Sequence, residues 1–314
     1  MKAANRFKIN IRWQPLSVAP YSKKWLSPGF NLVRRGNLLR RLSLVLAFSL
    51  LLSNCQKNPA NDNELTAGAQ MSGRVLLSEG APPSDVYVWL DGTSFATYTG
   101  QSGEFQINLP PVAPNVLVGA SVHSLYFYLA NYQLSSVDLA IRDGKFLYSR
   151  GGLNSRGELN NTVSLLKRLH IETTVTPAEI AGDYQGPVNV QLSLSAAGDS
   201  VTVLFPENES PALFFKQKET GAVFSYALTV NPAARDSIKI GQEAYRRSMT
   251  LNFTPDYLPQ GSYEVVPYFL IVPEKVLPPG LLPSLGDAVE NFSANFLKIP
   301  TKRTGGQLVV KSSE

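Results

Sequence analysis

The chain has 314 residues, a formal net charge of +5, one Cys and two His. Ten Lys and Arg and no Asp or Glu precede Cys55, so the 260 residues from Cys55 onward hold 19 basic and 24 acidic residues and carry a net charge of −5. This balance argues against a nucleic-acid partner, which would require a clustered basic face. One Cys and two His also fall short of the ligands of a zinc site.

Cys55 follows a basic stretch, residues 34–41, and an apolar run from Leu42 to Leu52. A positive segment before a short apolar run is typical of a secretory signal peptide. These eleven residues are too few to cross a bilayer, which requires about 20 in a helix. We therefore predict that the segment is removed.

The residues Leu52-Ser53-Asn54-Cys55 resemble the lipobox of bacterial lipoproteins. The resemblance implies cleavage before the cysteine, a diacylglyceryl group on the Cys55 sulfur, and membrane anchoring through that lipid. Asn54 departs from the small residue usual at its position. Because Gln56 stands where Asp would imply inner-membrane retention, the resemblance implies the outer membrane. An ordinary buried or free cysteine is the alternative.

Residues 1–33 do not fit a signal peptide, and we interpret residues 1–54 as an N-terminal extension followed by a lipoprotein signal. The polar sequence QKNPANDN, residues 56–63, cannot bury enough apolar surface to fold. Residues 55–69 are therefore predicted to form a flexible tether.

Short runs of alternating apolar residues, separated by Gly, Pro and Asp, begin at Ser72. Val86, Val88 and Leu90 alternate with Tyr87 and Trp89, and a later run has the same period of two. This spacing predicts the antiparallel strands of a β-sandwich.

The same stretch resembles the carboxypeptidase regulatory-like family in Ser72-Gly73-Arg74-Val75, in Asp91-Gly92-Thr93, and in Gly103-x-Phe105-x-Ile107-x-Leu109-Pro110. The resemblance implies a transthyretin-like, immunoglobulin-like sandwich over residues 70–142, serving as a structural or adhesive module without catalytic residues.

Several aromatic residues on these runs have two interpretations. Tyr87, Trp89 and Tyr98 are candidates for a glycan-stacking surface, because their rings combine apolar faces with polar tips. The alternative is that they pack against neighbouring sheet residues.

Residues 143–168 are rich in Gly, Asn and Arg and are interpreted as a connector. Strand-like runs then return, and the prediction for residues 169–314 is a second antiparallel sandwich. These runs are Ile171–Val175, Val188–Leu194, Val201–Leu204, Phe224–Val230, Met249–Phe253, Tyr263–Val272, Phe296–Ile299 and Leu308–Val310. Gly198-Asp199 is a predicted hairpin turn, and Asp287 to Asn295 a predicted short helix.

The segment from Val272 to Leu285 has four prolines among strongly apolar residues. Either it folds back onto its own domain, or it is exposed for a protein partner. The partner-binding candidates are Val276, Leu277, Leu281, Leu282 and Leu285.

No catalytic triad, phosphate-binding loop or Ca²⁺-binding loop is recognisable in the sequence, and no cofactor or metal is predicted. The expected function is a non-enzymatic, outer-membrane-anchored lipoprotein presenting β-sandwiches for adhesion, scaffolding, or binding of a protein or glycan. The alternatives are an accessory subunit of an uptake or secretion complex and a carboxylate-dependent hydrolase, since acidic residues can converge from distant strands.

Overall fold

The computed structural model describes residues 67–111, 117–207, 211–227, 235–255 and 257–312. Cys55, the signal segment and most of the predicted tether lie outside these residues. The described chain is mostly β-strand, which confirms the predicted all-β class. None of its helices is long and apolar enough to span a bilayer.

The first sandwich consists of a six-stranded sheet packed on a three-stranded sheet. The strand orders are β1-β8-β7-β6-β3-β4 and β5-β2-β9. The strands are β1 Ala67–Gly68, β2 Gln70–Leu77, β3 Tyr87–Leu90, β4 Ala96–Tyr98, β5 Glu104–Asn108, β6 Ala120–Tyr128, β7 Ser135–Arg142, β8 Lys145–Leu147 and β9 Val163–Leu165. A 3-10 turn, Ser78–Gly80, follows β2.

Side-chain alternation builds the core of this sandwich, as the period of two predicted. Phe105 and Ile107 of β5 are buried between exposed neighbours. Val86 and Val88 also enter the core between the two sheets. The intervening Tyr87 and Trp89 point to the opposite face of the sheet, yet they are buried as well. Something must therefore cover that outer face.

The segment predicted as a connector, residues 143–168, belongs to the first sandwich, which corrects the boundary at residue 142. Asp143 and Gly144 form a two-residue turn with positive φ values of 48° and 73°, and this turn joins β7 to β8. Strand β9 then pairs with β2 in parallel, with Val163 opposite Val75. The sandwich also begins before residue 70, because β1 pairs with β8.

The second sandwich has a four-stranded, a five-stranded and a three-stranded sheet around one core. Their orders are β17-β12-β10-β20, β11-β21-β18-β14-β15 and β16-β13-β19. The strands are β10 Leu169–Thr176, β11 Glu179–Ala181, β12 Gly186–Ala196, β13 Val201–Pro206, β14 Ala212–Gln217, β15 Val223–Ala227, β16 Arg235–Ile240, β17 Tyr245–Phe253, β18 Gly261–Pro267, β19 Leu270–Ile271, β20 Thr304–Gly305 and β21 Gln307–Lys311.

Most predicted strands of this domain are present, but pairing departs from prediction in two ways. The pairs β10–β20 and β11–β21 are parallel, so the sandwich is not purely antiparallel. Gly198-Asp199 does not close a hairpin, because β12 and β13 belong to different sheets. The turn instead carries the chain from one sheet to another.

Two predictions near the C-terminus were wrong. The run Phe296–Ile299 is not a strand, because Phe296 lies within a 3-10 helix, Ala294–Lys298. The short helix is α1, Leu281–Leu285, and not Asp287 to Asn295. Pro283 is compatible with α1 because a proline in the first turn of a helix removes no internal hydrogen bond.

Candidate functional site

The two sandwiches share an apolar cluster, here called the interdomain cluster. It contains buried residues from the outer face of the first sandwich, from the outer face of the five-stranded sheet, and from the chain that follows β18. Its buried members are Tyr87, Trp89, Tyr128, Ala212, Phe214, Val266, Tyr268, Leu270, Leu281, Leu285, Val289, Phe296 and Ile299.

Strand β14 joins this cluster to the core of the second sandwich. Leu213 and Phe215 enter that core, whereas Ala212 and Phe214 face the first sandwich. All four residues are buried. A strand covered on both faces shows no hydrophobic alternation, and for that reason the sequence pattern did not predict β14.

Aromatic side chains line both sides of the interdomain cluster. Trp89 stacks on Tyr126 of β6 with ring centroids 6.0 Å apart and 23° between planes. On the facing sheet, the Phe214 ring lies 4.7 Å from that of Phe292 and 5.6 Å from that of Phe296. Close-packed aromatic pairs of this kind are typical of protein cores.

This packing corrects the predicted glycan-stacking surface. Tyr87 and Trp89 are buried beneath the second sandwich, and of the three candidates only Tyr98, with 48% of its surface exposed, is open to a ligand. The Tyr98 ring lies 5.1 Å from that of Tyr87, at the edge of the cluster. The alternative interpretation, sheet packing, therefore describes Tyr87 and Trp89.

The proline-rich segment from Val272 to Leu285 packs between the sandwiches. It therefore does not form the continuous partner surface that one of the two interpretations predicted. Leu281 and Leu285 are buried in the interdomain cluster, and Leu277 and Leu282 are partly buried against it. Of the five candidates, only Val276 is fully open to solvent, with 96% of its surface exposed.

Two contacts of α1 with β3 fix the position of this segment. Gly280 lies directly on the Trp89 ring, where an added Cβ atom would approach two ring carbons to 2.8 and 2.9 Å. The Tyr87 hydroxyl donates a hydrogen bond to Ser284 Oγ at 2.9 Å. The loop can follow this path because its residue at the ring has no side chain.

Asn131, in the turn between β6 and β7, is the main polar link between the sandwiches. Its Nδ2 donates to Leu169 O at 3.0 Å and to Lys302 O at 2.8 Å. Its Oδ1 accepts from Lys302 N at 3.0 Å. The side chain is completely buried, and these bonds satisfy its amide group.

Charged pairs surround this link. Lys302 Nζ lies 3.3 Å from Asp85 Oδ2. In the first sandwich, Glu79 Oε2 lies 2.6 Å from Lys167 Nζ. Glu79 Oε1 lies 3.4 Å from Nε2 of His170, a residue of β10 in the second sandwich. The hydrogen bond from Lys167 lowers the pKa of Glu79 below its ordinary value, with a smaller contribution from the His170 charge.

Two small adjoining cavities, here called the interdomain cleft, lie beside the cluster. Their volumes are about 50 Å³ and 70 Å³. Tyr128, Ala130, Ile271, Pro273 and Leu277 line both. The lining of the smaller cavity is mainly apolar and includes Arg303. The lining of the larger cavity is more polar and includes Arg168.

The two arginines differ in how the protein accommodates them. Nη1 and Nη2 of Arg168 each donate a hydrogen bond to Val272 O at 3.3 Å. Arg303 donates no side-chain hydrogen bond to any described residue, and its nearest carboxylate oxygen, Glu264 Oε1, is 4.0 Å away. Burial lowers the pKa of the Arg303 guanidinium, partly offset by the Glu264 charge.

Tyr128 supplies a second polar group to the cleft. Its hydroxyl makes no hydrogen bond with the described part of the chain, and burial raises its pKa, with a smaller contribution from the Glu290 charge. Arg303 and Tyr128 were not singled out in the sequence. The period of two marked the face to which Tyr128 points, but no local pattern distinguishes Arg303.

His123 and two of the carboxylates at or near turns contact residues of the first sandwich. His123 Nδ1 donates to Asp91 O at 3.1 Å, and its Nε2 lies 3.0 Å from Ser121 Oγ. Asp138 accepts from Ser124, and Glu104 accepts from Ser102. Among the described residues, no group of three His, Cys, Asp or Glu side chains is placed to bind a metal ion.

No protein-family model matches the chain, and no curated protein matches it. The predicted resemblance to carboxypeptidase regulatory-like domains therefore stays a prediction. Several solved structures are weakly similar over part of the chain.

Three of these structures illustrate the level of similarity. The Pseudomonas fluorescens alkylpurine DNA glycosylase AlkC, bound to DNA with an abasic site analog, is 17% identical over 33% of this chain and 26% of its own, with a TM-score of 0.20. BcpA, the major pilin subunit of Bacillus cereus, is 9% identical over 65% of this chain and 68% of its own, with a TM-score of 0.23.

The Bacillus anthracis TIE protein is 9% identical over 67% of this chain and 48% of its own, with a TM-score of 0.21. The chain thus spans about a quarter of the glycosylase and about half of the TIE protein. These TM-scores are too low to support an argument about function.

Proposed function

We propose that this protein is a bacterial outer-membrane lipoprotein, anchored through Cys55, that presents two β-sandwiches as one rigid, non-catalytic module for binding or scaffolding at the cell envelope. The interdomain cluster is the observation that carries this proposal. Domains joined by small polar contacts move relative to each other by default, whereas a large apolar interface holds them together.

Buried apolar side chains and hydrogen bonds between the sandwiches support a rigid module. Tyr87, Trp89 and Phe214 are buried between the sandwiches as fully as residues of a domain core. Asn131 adds three buried hydrogen bonds across the same boundary. Separating the sandwiches would expose this apolar surface to water and would break the Asn131 bonds. A partner therefore meets one fixed surface.

Anchoring is supported by the sequence from Leu42 to Cys55, and the test is direct. Cells expressing the full chain are labelled with radioactive palmitate, with and without globomycin, an inhibitor of signal peptidase II. We expect label on the wild type, none on Cys55→Ser, and a longer precursor in treated cells. Label that persists in Cys55→Ser, or a soluble product without label, would contradict the anchoring.

The alternative as an accessory subunit of a membrane complex now depends on one exposed position. Val276 is the only one of the five predicted partner-binding residues that is fully exposed to solvent. Val276→Asp should weaken recovery of a specific partner from crosslinked membranes if this alternative is correct. Val122→Asp is the matched control, because Val122 is 70% exposed on β6. Equal recovery with both variants would remove the alternative.

A further inference from the structure

Arg303 is in an unusual electrostatic position. Only 16% of its side-chain surface is exposed, and its closest carboxylate is 4.0 Å away. A buried guanidinium usually has hydrogen-bonded acceptors, because removing a charge from water without them costs several kcal/mol. Its side chain makes no hydrogen bond with the described chain, and its guanidinium nitrogens are not among the fully buried atoms without a partner, so they can be reached from the cavity.

The cleft offers the surroundings in which such a cation can meet a ligand. Arg303 lines the smaller cavity together with apolar side chains that include Phe269, Phe296 and Ile299. The Tyr128 hydroxyl, which also makes no hydrogen bond with the described chain, lines both cavities. One cationic donor and one neutral donor thus face a pocket with mainly apolar walls.

The other charged residue that lines the smaller cavity is Glu290, which is exposed to solvent. Its backbone oxygen is occupied, because it accepts from the Tyr268 hydroxyl at 2.6 Å and from Arg235 at 3.1 Å. Its exposed carboxylate is solvated, which weakens its repulsion of an anion. Arg303 is therefore the less exposed of the two charged residues that line this cavity.

From this arrangement we infer that the interdomain cleft binds a short-chain carboxylate, whose carboxylate group pairs with Arg303 and whose alkyl group occupies the apolar part. Arginine binds carboxylates well because its planar N–H groups match the two oxygens. The two cavities are small, about 50 and 70 Å³, and therefore admit only a short alkyl chain. This volume fits a ligand the size of butyrate.

This inference goes beyond the proposed function and does not depend on lipidation. It also predicts an unusual stability effect. If Arg303 is held for a ligand, replacing it removes a partly buried charge whose nearest carboxylate is 4.0 Å away, and the ligand-free protein should be as stable as the wild type or more stable. If Arg303 instead supports the fold through Glu264, the same replacement should lower stability.

The test uses the full chain, purified in detergent, and three probes with the same alkyl chain: butyrate, butanol and butylammonium. Isothermal titration calorimetry should detect butyrate and neither of the others at equal concentration. Arg303→Gln should weaken butyrate binding at least tenfold without lowering the melting temperature, and Arg303→Lys should weaken it less. The matched control is Arg246→Gln, an exposed arginine on β17, which should bind butyrate as the wild type does.

A second variant, Ala130→Leu, fills the part of the cleft common to both cavities and should also reduce binding. Inorganic phosphate provides a final comparison, since it carries charge without an alkyl group and should bind more weakly than butyrate. The inference is overturned if butyrate does not bind, if butanol or phosphate binds equally well, or if Arg303→Gln binds butyrate normally. A fall in melting temperature for Arg303→Gln with unchanged butyrate affinity would assign the residue a structural role instead.

Discussion

Replacing Asn131 by Ala removes the three buried hydrogen bonds that join the two sandwiches. Each such bond contributes about 0.5–1.5 kcal/mol net, so three account for roughly 1.5–4.5 kcal/mol, and the loss lies toward the upper end when buried partners are left unpaired. Two carbonyl oxygens and the Lys302 N–H would lose their partner. We expect a loss of about 4 kcal/mol of stability, with a fall in melting temperature of roughly 8–16 °C for a protein of this size.

Urea unfolding and differential scanning calorimetry measure this loss. The matched control is Asn252→Ala, an exposed asparagine on β17, which should change stability by less than about 0.5 kcal/mol. A loss below about 1 kcal/mol for Asn131→Ala would refute the assignment of this residue as the main polar link. Equal losses in both variants would do the same.

Replacing Asn131 by Asp should make the stability of the protein depend on pH. The carboxylate would face Leu169 O and Lys302 O, which accept hydrogen bonds and cannot donate them. Burial raises the pKa of such a group above its unfolded value of about 3.9. Stability relative to Asn131→Ala should therefore fall as the pH rises above about 4. A difference between the two variants that does not change with pH would contradict this.

Three further predictions concern the same interface. Gly280→Ala should destabilise the protein by about 1–3 kcal/mol, because the new Cβ atom overlaps the indole ring, whereas Gly198→Ala, with no atom within 4 Å of its added Cβ, should be neutral or slightly stabilising in thermal unfolding. Phe214→Ala should cost about 3–5 kcal/mol by urea titration, against less than about 0.5 kcal/mol for the exposed Val122→Ala; similar losses would argue against the interdomain cluster. Glu79→Gln should lower the free energy of unfolding by less than about 1 kcal/mol at neutral pH. Because the pKa of Glu79 is lowered in the folded protein, the difference in stability from the wild type should vanish as the pH falls below the ordinary pKa of 4.5. A difference that persists in acid would contradict the Glu79 pairing.

Most strands that could be predicted have one solvent-exposed face; β3 is covered on both faces and was still predicted, because aliphatic and aromatic residues alternate in it. In β5 and β12, buried and exposed residues alternate, so the period of two is visible without any knowledge of the neighbours. Strand β14 lacks this pattern because both of its faces are covered. Strand β9 has only three residues, too few to establish a period, and the segment around it was therefore interpreted as a connector.

The candidate site was less predictable than the fold. Alternation assigned Tyr87 and Trp89 correctly to the face opposite the core, but it does not indicate what covers that face. An exposed glycan surface and a domain interface require the same aromatic residues at the same spacing. The burial of Tyr87 and Trp89 in the interdomain cluster, with Gly280 on the Trp89 ring, distinguishes the two interpretations.

By itself, the sequence determined the all-β class and the position of most strands, because both depend on local periodicity and turn residues. The tertiary structure alone decided that the sandwiches are joined, that the proline-rich segment is largely covered, and that Arg303 lines a cleft. These features arise from contacts between residues far apart in the chain, such as Asn131 and Lys302, which are separated by 171 positions. No local pattern encodes them, since each partner is surrounded by ordinary neighbours in the sequence.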